Sequence, residues 1–134
     1  MIDVENEILD EILKRLSAEF PKLNFASEYV RAPAAFPHLS VFEADNAMLV
    51  RTQSSSSVEN HATLMYEANV YSNKVSGKKQ ECRKIAMALD EVMARMGFTR
   101  TMMNHIPNLN DASIYRITAR YTAVVSRDKT IYRR

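Results

Sequence analysis

Two stretches of strict apolar and polar alternation constrain this fold more than any other feature of the sequence. In residues 62–70 and 115–125, every second side chain is aliphatic or aromatic, and most of the residues between them are polar. A period of two is the side-chain period of a β-strand, so both stretches predict strands with one buried face. The residues expected on the buried faces are Ala62, Leu64, Tyr66, Ala68 and Val70, then Tyr115, Ile117, Ala119, Tyr121, Ala123 and Val125. The pattern predicts a sheet with one side against the core.

Two other segments have the apolar spacing of amphipathic helices. The first starts after Asp3, which can cap it, and stops at Pro21. The second follows Gly77 and continues to about Met96, where Gly97 supplies a left-handed stop. The predicted apolar stripes are Ile8, Leu9, Ile12, Leu13, Leu16 and Phe20, then Cys82, Ile85, Ala86, Leu89, Val92, Met93 and Met96. Both helices are expected to cover the apolar side of the sheet.

Shorter strands are predicted at residues 25–30, 38–44 and 98–106, which gives the order α-β-β-β-α-β-β. The chain of 134 residues is therefore expected to form a single α+β domain with a mostly antiparallel sheet and both helices on one face. Residues 51–60, which contain Ser54 to Ser57, are predicted to be a mobile loop, and residues 126–134 a basic C-terminal tail.

Composition excludes several classes of function. A single cysteine cannot form an internal disulfide, and no run of about 18 apolar residues is present, so a membrane span is not expected. The first fifteen residues are acidic and amphipathic, unlike a secretory signal. Only two glycines occur, whereas phosphate-binding loops and nucleophile elbows need several. No catalytic, cofactor-binding or metal-binding residue is predicted.

The individual reactive side chains each favour a structural interpretation. Cys82 lies in the apolar stripe of the second helix and is expected to be a small buried side chain. The three histidines, His38, His61 and His105, lack metal-ligand spacing. The carboxylates of Glu43, Asp45 and Glu67 would converge if the second and third strands were neighbours, but surface charges on a half-exposed sheet are the commoner case.

Basic residues crowd the start of the second helix, where the helix dipole disfavours cations. These residues are Lys74, Lys78, Lys79, Arg83 and Lys84, here called the basic cluster. Two interpretations are open: side chains that extend into water, or a contact with phosphate or an acidic partner.

Charge is also distributed unevenly between the two ends of the chain. Residues 1–30 carry seven acids and three bases, and residues 114–134 carry six bases and one acid. This asymmetry either has no function or indicates a head-to-tail contact between subunits. In the fifth strand, Arg116 and Arg120 project from the polar side and can meet Glu67 on the third strand. If copies assembled with this side inward, the same arginines would line a lumen.

The chain resembles the bacteriophage tail-terminator or tail-completion proteins of phages and prophages of Gram-positive bacteria. The resemblance lies in the order and spacing of short segments across residues 1–125, none of which is a catalytic signature. These segments are FPHLSVFEADN (residues 36–46), YEANVYSNKVSGKK (66–79), MGFTR (96–100), IPNLND (106–111) and IYRITARY (114–121).

The resemblance implies a structural virion protein with no enzymatic activity and no cofactor. Such a protein forms a ring with itself, typically of six copies, at the head-proximal end of the tail, where it stops polymerisation of the tube and provides the docking surface for the head. The implied partners are the tail tube protein, the neck or head-completion protein and DNA that passes through the lumen. The implied location is the virion, assembled in the cytoplasm of the host bacterium.

Candidate residues for the lumen or the subunit interfaces are Arg51, Lys78, Lys79, Arg116, Arg120, Arg127, Lys129, Arg133 and Arg134. Two alternatives stay open. One is a neck or head-completion connector of the same particle. The other is a small nucleic-acid-binding module that uses the basic cluster.

Overall fold

Two helices pack on one face of a six-stranded sheet in the computed structural model of the protein, which describes residues 1–48, 61–107, 111–129 and 131–132. The elements in chain order are α1 (Glu5–Glu19), β1 (Asn24–Ala26), β2 (His38–Met48), β3 (His61–Ser72), α2 (Lys78–Arg95), β4 (Thr99–His105), β5 (Tyr115–Ser126) and β6 (Ile131–Tyr132). The predicted α+β class and the order of the first seven elements are confirmed, and β6 is an addition.

The sheet has the order β1-β2-β3-β5-β4, and β6 pairs with the end of β5. Every pair is antiparallel except β1 with β2, which is parallel. β1 is shorter than the strand predicted at residues 25–30 and starts one residue earlier. β2 continues four residues past its predicted end because it stays paired with β3 beyond a bulge between Glu43 and Asp45. Pairing with the neighbouring strand therefore determines the lengths of β1 and β2.

The two alternating stretches bury the faces that their pattern predicts. All five residues predicted for the buried face of 62–70 are buried, as are all those predicted for 115–125 except Tyr115, which is partly buried against the core. Tyr66 and Tyr121 are buried in the core, and Tyr66 contacts Phe98 edge to face, with ring centroids 5.6 Å apart. Edge-to-face packing is a favoured arrangement for aromatic rings. The core thus lies between this face of the sheet and the two helices.

Both helices form where the sequence predicts them, and only their terminal residues differ from the prediction. Val4 is the N-cap of α1, and Asp3, one residue earlier, accepts a hydrogen bond from the Glu5 amide at 3.1 Å. The acidic side chain therefore still satisfies a free amide of the first turn. Leu13 is 43% exposed, so it lies outside the buried stripe to which the sequence pattern assigned it.

The segment predicted as a basic C-terminal tail turns back onto the sheet. β5 ends at Ser126, Lys129 takes a left-handed conformation with φ 67°, and β6 then pairs with Val124 and Val125. The Lys129 amide donates to the Ser126 carbonyl at 2.9 Å and closes this turn. Ser126, Ile131 and Tyr132 of this segment therefore belong to the sheet.

Candidate functional site

The helix-free face of the sheet carries an ordered array of side chains from three neighbouring strands, β2, β3 and β5. The strand register places three residues in each of three rows. The rows are His38, Tyr71 and Arg116, then Ser40, Asn69 and Thr118, then Phe42, Glu67 and Arg120. These nine residues are here called the array.

Asn69 is the centre of the array and is fully buried. Its Oδ1 accepts hydrogen bonds from Arg116 Nε at 3.0 Å, Arg116 Nη2 at 2.8 Å and Thr118 Oγ1 at 2.7 Å. Its Nδ2 donates to Glu67 Oε2 at 3.1 Å, and Glu67 Oε1 accepts from Arg120 Nε at 3.0 Å. A continuous hydrogen-bonded network therefore joins the two arginines through one amide and one carboxylate.

Arg116 is enclosed by aromatic rings as well as by hydrogen bonds. Its guanidinium carbon lies 5.8 Å from the ring centre of Tyr29 and 5.6 Å from that of Tyr71. The Tyr71 hydroxyl donates to the Val30 carbonyl at 3.0 Å, which ties the segment after β1 across this end of the array. Burial raises the pKa of the Tyr71 phenol. Arg116 is thus a partly buried structural group, whereas the Arg120 side chain is 47% exposed.

The predicted contact of both arginines with Glu67 is right for one and wrong for the other. Arg120 lies directly opposite Glu67 and binds it, but Arg116 lies opposite Tyr71 and reaches diagonally to Asn69. Asn69 and Tyr29 are not among the site residues that the sequence predicted. Asn69 shares the polar side of its strand with Glu67, a signal that the alternation carries, whereas nothing in the pattern locates Tyr29.

The three carboxylates do not form a paired acid site. Glu43 lies opposite Tyr66 on the helix-covered face, while Glu67 lies opposite Phe42 on the other face. The bulge after Glu43 moves Asp45 opposite Met65. The suggested convergence of Glu43 with Glu67 is therefore wrong, because neighbouring positions along a strand point to opposite faces.

Cys82 is a core residue, as predicted. Its side chain is fully buried, and its thiol donates to the Tyr115 carbonyl at 3.4 Å. Burial raises the pKa of the thiol to about 12. A protonated, inaccessible sulfur is a poor nucleophile.

The histidines lie in separate environments. His38 is buried in the array, where burial lowers its pKa, and the His105 ring stacks on Tyr115 with centroids 4.2 Å apart. Among the described residues, no group of three or more histidine, cysteine, aspartate or glutamate side chains is arranged to hold a metal ion.

The basic cluster projects from the first turns of α2 and the loop before it. Within the described ranges, none of its five side chains forms an ion pair. A cavity of about 240 Å³ lies beside it, lined by Phe20, Lys74, Gly77, Gln80 and Lys84 among others. One nearby carboxylate, Asp111, has its pKa lowered mainly by Ser113 and to a smaller degree by Lys78. The cluster is therefore a positive surface.

The charged ends of the chain meet within one molecule. Lys129 Nζ lies 2.7 Å from Glu7 Oε1, which joins the turn before β6 to the first turn of α1. Lys129 and Glu7, which the charge asymmetry would place in a contact between two subunits, are therefore paired within one chain. Arg127 is exposed. The remaining candidates Arg51, Arg133 and Arg134, and the loop at residues 51–60, lie outside the described residues.

A scan against models of known protein families finds no match to this chain, and a search of curated protein sequences finds no similar protein. Over the described part of the chain, neither helix has the length and apolar character needed to cross a membrane.

Proposed function

We propose that this chain is a phage tail terminator. Copies assemble into a ring, typically of six, on the head-proximal end of the tail tube, stop the tube from growing and provide the surface on which the head docks. Tail tube protein and neck or head-completion protein are its direct partners, and the protein resides in the virion after assembly in the host cytoplasm. The role is structural, without enzymatic activity or a cofactor.

The array supports this proposal. All nine of its residues belong to three of the segments through which the chain resembles tail terminators, residues 36–46, 66–79 and 114–121. Segments that are far apart in sequence thus become adjacent strands and share one surface. A network that fixes the side chains of a sheet face suits a rigid surface in an assembly better than a site that must move around a substrate.

In the proposed ring, the helix-free face is turned toward the lumen. Arg120 then presents its guanidinium to DNA phosphates, and the ion pair with Glu67 fixes the position of that guanidinium. Arg116 stabilises the same face through its hydrogen bonds to Asn69. Arg120 is the one exposed cation among the nine residues of the array, which gives a weakly positive lumen that tolerates moving DNA without holding it tightly.

Charge also supports the contact between neighbouring copies. Since Lys129 is engaged with Glu7, the basic surface available to a neighbour is the basic cluster, with Lys78 and Lys79 at its centre. The exposed acidic side chains of α1, such as Asp10, provide a surface of opposite sign. Opposite surfaces on one chain are what a closed, head-to-tail ring requires.

Deletion of the gene from its phage or prophage, followed by negative-stain microscopy, tests the proposal. Overlong tails are expected, and the wild-type gene supplied in trans should restore normal length. Complementation with Lys78→Glu, Lys79→Glu should fail, whereas Lys22→Glu, an exposed charge reversal outside α1 and the basic cluster, should succeed. Normal-length tails beside full, unattached heads would indicate a neck connector instead. Intact, infectious particles would overturn the structural role.

The unpaired state of the basic cluster favours one second candidate, a nucleic-acid-binding module. In that case duplex DNA should bind with an affinity that falls steeply as salt increases, with a logarithmic slope of about 0.9 per phosphate contacted. Replacement of Lys78, Lys79, Arg83 and Lys84 by serine should flatten the slope. An affinity that these replacements leave unchanged would exclude the cluster as the binding surface.

A further inference from the structure

A groove runs between α2 and the strands β4 and β5. β4 is the last strand of the sheet and pairs only with β5 among the described strands. Alternate amide and carbonyl groups of an edge strand point away from its neighbour, so this edge can accept a further strand. The groove is lined by Arg83, Met87, Met103, Asn104, His105 and Tyr115, together with two smaller apolar residues, and encloses a cavity of about 90 Å³.

The lining of this groove fits an apolar side chain. Met87 is 63% exposed, and Met103 is partly buried against the core. The parallel stack of His105 on Tyr115, with an interplanar angle of 7°, forms a flat wall. Methionine side chains adapt to different apolar shapes, and exposed ones are frequent at binding surfaces.

The charge of the groove selects for an acidic occupant. Of the described residues that line it, Arg83 is the only charged one, and no described carboxylate forms an ion pair with Arg83. Lys79, one turn earlier on α2, is also exposed, and it forms no ion pair within the described part of the chain. At the far end of β4, Arg100 is already paired with Asp90 at 3.1 Å, so it does not cancel or add to the charge of the groove.

We propose that the groove between α2 and β4 binds an extended acidic segment of a partner protein, which adds to the outer edge of β4 as a further strand. Backbone hydrogen bonds to the edge supply affinity, an apolar side chain fills the space beside Met87, and a carboxylate pairs with Arg83. Recognition of this kind combines an open sheet edge with a side-chain pocket. The proposal does not rest on the tail-terminator function, although Arg83 and Lys79 also belong to the basic cluster.

Fluorescence anisotropy with a labelled synthetic peptide tests the proposal. The probe alternates valine and threonine around a central leucine and has glutamate at both ends. Saturable binding is expected. A probe with lysine in place of glutamate, and one with N-methylated alternate amides, should bind at least about tenfold more weakly, because the first loses the charge pair and the second loses the edge hydrogen bonds.

Matched variants of the protein locate the binding surface. Arg83→Glu should weaken binding of the acidic probe at least about tenfold, since the pair with the carboxylate becomes a repulsion. Lys14→Glu makes the same charge change on α1, away from the groove, and should leave binding unchanged. Equal binding of the acidic and N-methylated probes, or no saturable binding at millimolar peptide, would overturn the proposal. If the protein self-associates and Arg83→Glu abolishes this self-association, the groove binds a second copy of this chain and the proposal of a partner protein is overturned.

Discussion

Lys129 Nζ lies 2.7 Å from Glu7 Oε1, and the two residues are 122 positions apart in the chain. Both side chains are more than half exposed, so the pair contributes little to stability. Its importance is topological, since it joins the turn before β6 to the first helix. A charge asymmetry that suggested contact between subunits is, at this pair, a contact within one subunit.

The ion pair predicts a change in the titration of Glu7. The hydrogen bond from Lys129 lowers the pKa of Glu7, and the same bond raises the pKa of Lys129. Its small stabilising effect is therefore present at neutral pH, is lost as the pH falls through the pKa of Glu7 and is lost again as the pH rises through that of Lys129. In Lys129→Ala, the Glu7 carboxylate followed by NMR should titrate at higher pH than in the wild type. Lys14→Ala should not change it, and an unaltered titration in Lys129→Ala would contradict the pair.

The array makes a strong prediction for Asn69. Replacement by alanine removes the acceptor for Arg116 and Thr118 and leaves a partly buried guanidinium without its amide partner. We expect a loss of about 3 kcal/mol in the free energy of unfolding, measured by urea denaturation. Asn104→Ala, an exposed change on β4, is the control and should cost much less. Similar losses for both variants would mean that the network adds nothing to stability.

Glu43 predicts a pH-dependent stability. Burial raises the pKa of Glu43, an effect that hydrogen bonds from Tyr66 and Asn46 only partly offset. The folded state therefore holds the Glu43 proton more tightly than the unfolded chain, in which a glutamate has a pKa of about 4.3. The free energy of unfolding therefore falls as the pH rises from this value through the higher pKa of the folded state, and it stays lower above that pH. Relative to the wild type, Glu43→Gln should gain stability between about pH 4 and about pH 7. The exposed control Glu28→Gln should show no such trend, and a constant difference for Glu43→Gln would contradict the argument.

Cys82 predicts an unreactive thiol. With a pKa of about 12 and no exposed surface, the side chain should resist Ellman's reagent near pH 8 in the folded protein and react once the protein is unfolded. Ala18→Cys adds an exposed thiol on α1 and should react at once. Rapid reaction of the wild-type protein under native conditions would show that α2 opens far more readily than its packing indicates.

The sequence alone determined the elements and their faces. Alternation in residues 62–70 and 115–125 identified β3 and β5 and their buried sides, and helical spacing located α1 and α2 to within a few residues. These properties are local, because the periods of 2.0 and 3.6 residues follow from backbone geometry at each position. The same reasoning placed Cys82 in the core.

Tertiary structure decided which side chains meet. Register set Arg120 opposite Glu67 but gave Arg116 to Asn69, and it put Glu43 and Glu67 on opposite faces. Pairing with β5 created β6, a strand of two residues that has no periodic signal of its own. Closure of the fold brought Lys129 to Glu7. Each of these contacts depends on how distant strands align, and a shift of one residue reverses every face, so no local pattern can specify them.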